Sequence, residues 1–345
     1  MTIIKAKSPR AELAYSLVCD LQRRFVSGLN KISDKFGEGN PFEPTEWLRD
    51  DGKHGGGVRF MATDNRLFNR ASVNISQVQY DDDETKKLAS ASAISTIIHP
   101  ENPLAPSVHI HLSWTEMKEG CGYWRVMADL NPSHEHDADK EQFIQTLRQA
   151  APKQYEEAAE QGDGYFYIPV LGRHRGVTHF YLENYFSDDF NTDLDLAKTV
   201  GEAAIDSYCD ILSSALETRV LPTDANRNKQ LDYHTLYFFQ VLTLDRGTTS
   251  GLLVHDQNDI GILASLPSHV NRALLASWVQ KMPSPQDELL QNILACLPAA
   301  DICLIEDDTK QALANCLRQH YRVYPEAINL QARGKVIPPT VINHR

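Results

Sequence analysis

The sequence predicts an α+β fold with a large, mainly antiparallel sheet that is flanked by helices. Two observations support this prediction. Short apolar runs with alternating polar residues follow one another between turn signals, as the strands of an antiparallel sheet do. Longer segments with apolar residues three or four positions apart stand before and between these runs. Strands and helices that are grouped in this way are typical of α+β proteins.

Helices are predicted where the apolar residues keep helical spacing. The first spans residues 11–36 and is preceded by Ser8 and Pro9, which suit the N-cap and the first turn. The other predicted helices are residues 137–151, 196–216, 260–266, 268–279, 284–296 and 308–320.

Strands are predicted from short apolar or alternating runs. They are residues 58–61, 67–68, 95–98, 108–114, 123–128, 165–168, 178–186, 237–243 and 251–254. Hairpin turns are predicted at Asp64-Asn65 and at Asp245-Arg246-Gly247. The acidic run 81–84 is predicted to be a solvated loop.

The composition is that of a soluble globular protein, with 345 residues, 42% of them hydrophobic and 23% charged. The formal net charge of -12 disfavours nucleic acid and anionic membranes as partners, and it favours a small-molecule substrate or a second copy of the chain. No apolar run reaches the roughly 18 residues that span a bilayer, and residues 1–10 lack the apolar core of a signal peptide. We therefore expect no membrane insertion and a cytoplasmic location.

The cysteines show no C-x-x-C spacing and lie mostly in apolar surroundings. They are Cys19, Cys121, Cys209, Cys296, Cys303 and Cys316. We expect reduced, buried thiols rather than a redox or metal site.

Six short blocks contain most of the functional information in the sequence. They are GGGVRFMATDNRLFNRASVNIS at 55–76, HPENPLAPSVHIH at 99–111, ADLNP at 128–132, FYIPVLGRHRG at 166–176, LDRGT at 244–248 and ILASLP at 262–267. In order and spacing these blocks resemble the oxygen-dependent coproporphyrinogen III oxidases. The similarity extends over roughly residues 10 to 295.

The resemblance implies the fold of that family for residues 1–299, with residues 300–345 as a C-terminal extension. Enzymes of that family convert two propionates of a porphyrinogen to vinyl groups, with O2 as co-substrate and, as generally described, without a metal or organic cofactor. The resemblance also implies a homodimer.

Catalytic roles for Asp129 and His109 follow from the same resemblance. Asp129 matches a carboxylate that binds pyrrole N-H groups and activates the ring, and His109 matches a proposed proton donor. The residues alone leave structural alternatives open. Asp129 can cap the turn before Pro132, and His109 can be a satisfied histidine on a half-buried strand.

Substrate-binding roles are expected for Ser95 and Arg175, which match family positions, and for His111 and His174, which stand in the same blocks. A structural ion pair is the alternative for Arg175. No metal is expected. If one is present, its candidate ligands are His99, His109 and His111, because two histidines two positions apart on a strand point the same way.

Three arginines of the family pattern are replaced. Ser113 and Leu171 stand at two of these positions, and residues 255–257 replace the loop that contains the third. A charge-assisted contact to a carboxylate is worth about 1.5–3 kcal/mol, so these losses disfavour a tetracarboxylate substrate unless Arg59, Arg125, Arg173 or His174 points inward. Met127 in place of a glycine predicts a smaller pocket.

Three functional hypotheses follow. The first is an O2-dependent oxidase or oxidative decarboxylase that acts on a pyrrole-like or indole-like substrate with fewer carboxylates. The second is a true coproporphyrinogen III oxidase, which forms protoporphyrinogen IX in heme biosynthesis. The third is a catalytically idle protein that binds a tetrapyrrole or a partner.

Overall fold

The computed structural model describes residues 3–333. In chain order, the strands are β1 (Glu43–Leu48), β2 (Gly55–Met61), β3 (Phe68–Gln79), β4 (Leu88–Pro100), β5 (Ser107–Met117), β6 (Gly122–Asn131), β7 (Tyr167–Ile168), β8 (Arg173–His174), β9 (Thr178–Tyr185), β10 (His269–Asn271) and β11 (Ile302–Leu304). Seven of them form one sheet in the order β1-β2-β3-β4-β5-β6-β9, and every neighbouring pair is antiparallel. The α+β prediction with a large antiparallel sheet is confirmed.

The helices are α1 (Pro9–Phe36), α2 (Asp137–Ala150), α3 (Tyr155–Phe166), α4 (Phe190–Thr218), α5 (Asp224–Thr243), α6 (Arg246–Val254), α7 (Asp259–Ile262), α8 (Arg272–Ala276), α9 (Gln286–Cys296) and α10 (Asp307–Val323). The Ser8 hydroxyl accepts a hydrogen bond from the Ala11 backbone N–H, so α1 begins where its cap predicts. Between residues 3 and 333, no helix is long and apolar enough to cross a bilayer.

One face of the sheet is apolar and packs against the long helices α1 and α4. Ile75, Ile94, Leu112 and Val126 lie side by side across four strands of this face and are buried. With the apolar faces of the helices they form the larger hydrophobic core. This burial is the main force that fixes the strand register, because a shift by one residue would turn the row toward the other face.

The opposite face of the sheet is polar and faces a second layer of helices. Helices α5 to α10 enclose a second hydrophobic core, which includes Leu236, Leu275, Ile293 and Leu317. Strand β11 pairs with β10, and α10 packs against α9, so residues 302–323 belong to this layer. The boundary between a family domain at 1–299 and a C-terminal extension at 300–345 stays a prediction. Residues 334–345 of that extension lie outside the described part of the chain.

Two of the predicted strands are wrong. Residues 237–243 are part of helix α5, and residues 251–254 are part of helix α6. Every residue from 233 to 243 is buried, so the segment has no polar face and its aromatic and β-branched residues mimic a strand. The predicted turn at Asp245 is the N-cap of α6, since its carboxylate accepts the Thr248 N–H at 2.7 Å.

Other boundaries also shift. Residues 165 and 166 end helix α3, which leaves only Tyr167–Ile168 as a strand. The predicted helix 268–279 contains strand β10 before the short helix α8, and 260–266 is a single α-turn followed by a 3-10 turn. All six cysteines are free, but only Cys303 is buried. Cys121 is exposed, so its predicted burial is wrong, and the other four are half-buried.

Candidate active site

A cavity of about 230 Å³ lies between the polar face of the sheet and helices α5 to α7. The sheet contributes Asn74, Ser95, His109 and His111 to its wall, among other residues, and the helices contribute Tyr237. A second cavity of about 190 Å³ adjoins it and shares Asn74, His111 and Arg125. We call the two together the cleft.

Strand register places the predicted site residues side by side. Ser95 lies opposite His111, and His111 lies opposite Met127. Two residues along the strands, on the same face, His109 lies opposite Asp129. Because cross-strand partners share a face, Ser95, His109 and His111 all reach the cleft.

Asp129 is the centre of a buried polar cluster behind the cleft wall. Its side chain has no exposed surface. One carboxylate oxygen accepts a hydrogen bond from His109 Nδ1 at 2.9 Å. The other accepts from Arg175 Nη2 and from Asn131 Nδ2, both at 2.6 Å. Burial alone would raise the pKa of Asp129, but the charge of Arg175 and the hydrogen bonds outweigh it, so that pKa lies well below its usual range.

Arg175 reaches Asp129 from the turn that precedes β9. Its Nη1 donates to Gln240 on α5 at 2.7 Å, and its guanidinium lies over the rings of Phe166 and Tyr237 at 4.4 and 5.0 Å. Its Nε is buried without a partner among residues 3–333. Burial opposes its charge, yet Asp129 raises the pKa of Arg175 further, so the pair is ionised.

A second ion pair lies at the other end of the cleft. Arg125 Nε and Nη2 contact the two carboxylate oxygens of Glu183 at 2.6 and 3.1 Å. The Tyr181 hydroxyl donates to the same carboxylate. Both arginines of the cavity wall in the described chain, Arg125 and Arg175, are therefore held by buried carboxylates.

Of the two remaining predicted substrate-binding residues, one lies in the cleft and one does not. His111 lines the cleft and lies 3.2 Å from the Ser113 hydroxyl; burial and then Arg125 hold its pKa well below the usual range. His174 is exposed on β8 and is not part of the cavity wall. Its predicted role stays a prediction.

His99 is buried, and both of its ring nitrogens have partners other than the candidate metal ligands. Its Nδ1 lies 2.9 Å from the Ser107 hydroxyl and its Nε2 3.3 Å from the Ser265 carbonyl, and its ring packs edge-to-face with that of Tyr237. His109 and His111 do share a face, as their spacing predicts. Nowhere in residues 3–333 do three or more potential ligands meet in an arrangement for a metal ion.

The model of the coproporphyrinogen III oxidase family matches residues 14–296. The chain belongs to this family.

Curated members of the coproporphyrinogen III oxidase family are similar at low identity. The mitochondrial oxygen-dependent coproporphyrinogen-III oxidases of Rattus norvegicus and Mus musculus are each 28% identical over 286 residues, which cover 74% of this chain and 61% of theirs. That of Homo sapiens is 26% identical over 301 residues, which cover 79% of this chain and 62% of the human one. The matches thus span about three fifths of the length of these relatives.

Sequence reasoning missed the helical wall of the cleft. Tyr237, Asp245, Thr248, Asn258 and Gly261 line the cavity. The strand pair predicted in place of α5 and α6 hides Tyr237, Asp245 and Thr248, whereas Asn258 and Gly261 belong to the N-cap and the single turn of α7. One signal was present, since Asp245 and Thr248 stand in the LDRGT block of the coproporphyrinogen III oxidase resemblance.

Proposed function

We propose that this protein is an O2-dependent oxidase or oxidative decarboxylase that acts on a pyrrole-like or indole-like substrate with fewer carboxylates than coproporphyrinogen III. The observation that carries the proposal is the charge balance of the cleft. Arg125 and Arg175 line it, and each already holds a buried carboxylate, Glu183 or Asp129. Several substrate carboxylates would have to compete with these internal partners.

The proposed chemistry starts at His109. Its Nδ1 faces Asp129, and its Nε2 has no hydrogen-bond partner among residues 3–333. A neutral imidazole that donates from Nδ1 to a carboxylate can accept a ring N–H at Nε2 and take up its proton. Ground-state O2 reacts slowly with closed-shell molecules, so this transfer makes the ring electron-rich enough to react.

Asp129 acts through His109 in this proposal. Both carboxylate oxygens are occupied, so a ring N–H can reach the carboxylate directly only if Arg175 or His109 moves away. With its pKa well below the usual range, Asp129 stays ionised and stabilises the imidazolium that forms on His109. Ser95, His111 and the unpaired Nε of Arg175 are proposed to contact the substrate.

The net reaction for a propionate side chain balances with O2 alone. A C–H bond beside the ring and the C–C bond to the carboxylate break, a vinyl group and CO2 form, and two electrons and two protons reduce O2 to H2O2. One of these protons comes from solvent. No metal or organic cofactor enters the proposal. We also propose a homodimer, on the basis of the family resemblance, and a cytoplasmic location, on the basis of the composition.

Oxygen uptake tests the proposal. We would incubate the purified protein with pyrroles and indoles that carry a single propionate and measure O2 consumption and CO2 release. His109→Asn should lower the rate about 10²–10⁴-fold, as removal of a general base does, and His269→Asn, an exposed histidine on β10, should not. Absence of uptake with every member of the panel, or equal rates for His109→Asn and the wild type, would overturn the proposal.

The true coproporphyrinogen III oxidase reaction is the second candidate. One observation favours it, because Arg59 points toward the same face of the sheet and its Nη1 lies against Gly261 in the cavity wall. A third possibility, an idle binding protein, predicts tetrapyrrole binding without O2 uptake.

A further inference from the structure

A separate cavity of about 600 Å³ lies beside the cleft, between strands β2 and β3 and the helices α7 and α10. Asn258 and Gly261 line both this cavity and the cleft. Three basic side chains, Arg59, Arg70 and Lys310, line it as well. We call this space the basic cavity.

Arg59 is the unusual member of this group. Only 8% of the residue is exposed, and its Nε and Nη1 are buried without a hydrogen-bond partner among the described residues. Burial lowers its pKa, and Asp307 compensates only in part. Because an arginine cannot lose its charge at neutral pH, a buried guanidinium without a counter-ion is unfavourable. An anion in the basic cavity would remove this cost.

The backbone makes room for the Arg59 guanidinium. A Cβ at residue 261 would overlap Arg59 Nη1 and the side chain of Asn258. Glycine at this position therefore lets the guanidinium reach the point where the two cavities meet.

Arg70 and Lys310 are the other two basic side chains of the basic cavity. Arg70 donates to the carbonyl oxygens of Leu266 and Ile305 at 3.3 and 3.1 Å, and these neutral partners do not compensate its charge. Lys310 is 3% exposed and donates to Asp307 at 2.9 Å. Burial lowers the pKa of Lys310. Its hydrogen bond to Asp307 opposes this shift, and the charges of Arg70 and Arg59 add to it.

The acidic residues of the basic cavity do not neutralise Arg59. Asp259 is bound by Arg318 and by Gln311. Asp307 is exposed and bound by Lys310, and Asp256 is exposed on the rim.

We propose that Arg59, together with Arg70 and Lys310, forms a binding site for an oxyanion, namely a carboxylate or phosphate group of a small molecule. The planar guanidinium offers two parallel donors to such a group, which suits carboxylates and phosphates alike. The oxyanion is either free or an acidic arm of a molecule that occupies the cleft, since the two cavities share a wall. The inference does not depend on the proposed oxidation.

Calorimetric titration with inorganic phosphate, in a chloride buffer of low ionic strength, tests the site. Phosphate should bind the wild type, and Arg59→Gln should weaken binding at least about tenfold. Arg66→Gln, which removes an exposed arginine of the neighbouring turn, should bind as the wild type does. Absence of phosphate binding to the wild type, or equal binding to Arg59→Gln, would overturn the proposal.

Thermal unfolding separates a binding role from a structural one. Without phosphate, Arg59→Gln should unfold at the same temperature as the wild type or higher, because it removes an uncompensated charge. Phosphate should raise the Tm of the wild type and raise that of Arg59→Gln much less. A structural arginine predicts the reverse, a lower Tm for Arg59→Gln and no effect of phosphate on either protein. Lys310→Met should give an intermediate affinity, and wild-type affinity for it would contradict the shared site.

Competition identifies the source of the oxyanion. Coproporphyrin III, an oxidised tetracarboxylate analogue, is added while phosphate binding is measured. Displacement of phosphate in the wild type supports an acidic arm that reaches Arg59 from the cleft. Simultaneous binding of both supports a free oxyanion at the same residues.

Discussion

Replacement of Asp129 by asparagine tests the buried cluster at the cleft. The substitution keeps the shape of the side chain but removes the charge that compensates Arg175, whose side chain is 2% exposed. Removal of one partner of a buried ion pair costs about 3–5 kcal/mol, because the other charge stays buried. The total free energy of unfolding of a typical protein is about 5–15 kcal/mol, so this cost is a large fraction of it.

Urea unfolding followed by the fluorescence of the four tryptophans measures the effect. Asp206→Asn is the matched control, since Asp206 forms a bidentate pair with Arg24 in which the two side chains are 52% and 45% exposed. An exposed pair is worth about 1 kcal/mol or less. Asp129→Asn combined with Arg175→Met should recover part of the loss, because the unpaired charge is gone. A cost for Asp129→Asn no larger than that of the control would refute the reasoning.

The same cluster makes a prediction about acid stability. The pKa of Asp129 is lower in the folded protein than its value of about 3.9 in an unfolded chain. The unfolded state therefore binds more protons, and this stabilisation is present above about pH 4 and lost as the pH falls below it. Asp129→Asn should remove this part of the acid dependence.

Two further predictions concern other buried groups. Arg125→Met should lower the free energy of unfolding by about 3–5 kcal/mol, because Glu183 then stays buried and charged. In a urea titration, the double variant with Glu183→Gln should lose less stability than Arg125→Met alone, and an equal or larger loss would contradict this reasoning. Burial lowers the pKa of His234 to about 3, so the unfolded state binds the extra proton and this residue destabilises the fold progressively as the pH falls from about 6.5 toward 3. His234→Gln should flatten the fall of Tm in that range, and an unchanged slope would count against a buried neutral histidine.

The sequence predicts the sheet better than the helical layer, for a physical reason. Strands β2 to β6 carry mainly apolar residues on the face toward α1 and α4 and mainly polar residues on the face toward the cleft, so alternation is visible in the sequence. It marks where the strands lie, although the predicted segments 67–68 and 95–98 are shorter than β3 and β4. Helix α5 is buried on all sides from residue 233 onward, and no polar face marks its period. Its Tyr237 therefore could not be assigned to the cleft.

The site shows the same limit. The spacing of His109 and His111 predicts a common face, because direction along a strand is a local property. The pairing of Arg175 with Asp129 joins residues 46 positions apart and depends on strand register and on α5, which local patterns do not reveal. Likewise, the sequence offers Arg125 as a partner for a substrate carboxylate, and only the structure shows that Glu183 already holds it.

Oxygen uptake with freshly reduced coproporphyrinogen III tests the central claim most directly. This substrate carries four carboxylates, and both arginines that line the cleft among residues 3–333 are already paired with carboxylates of the protein. The charge balance around Asp129 and Glu183 predicts O2 consumption no faster than in a protein-free control and no vinyl product. Sustained O2 uptake with stoichiometric conversion of propionates to vinyl groups would contradict it and would establish the second candidate instead.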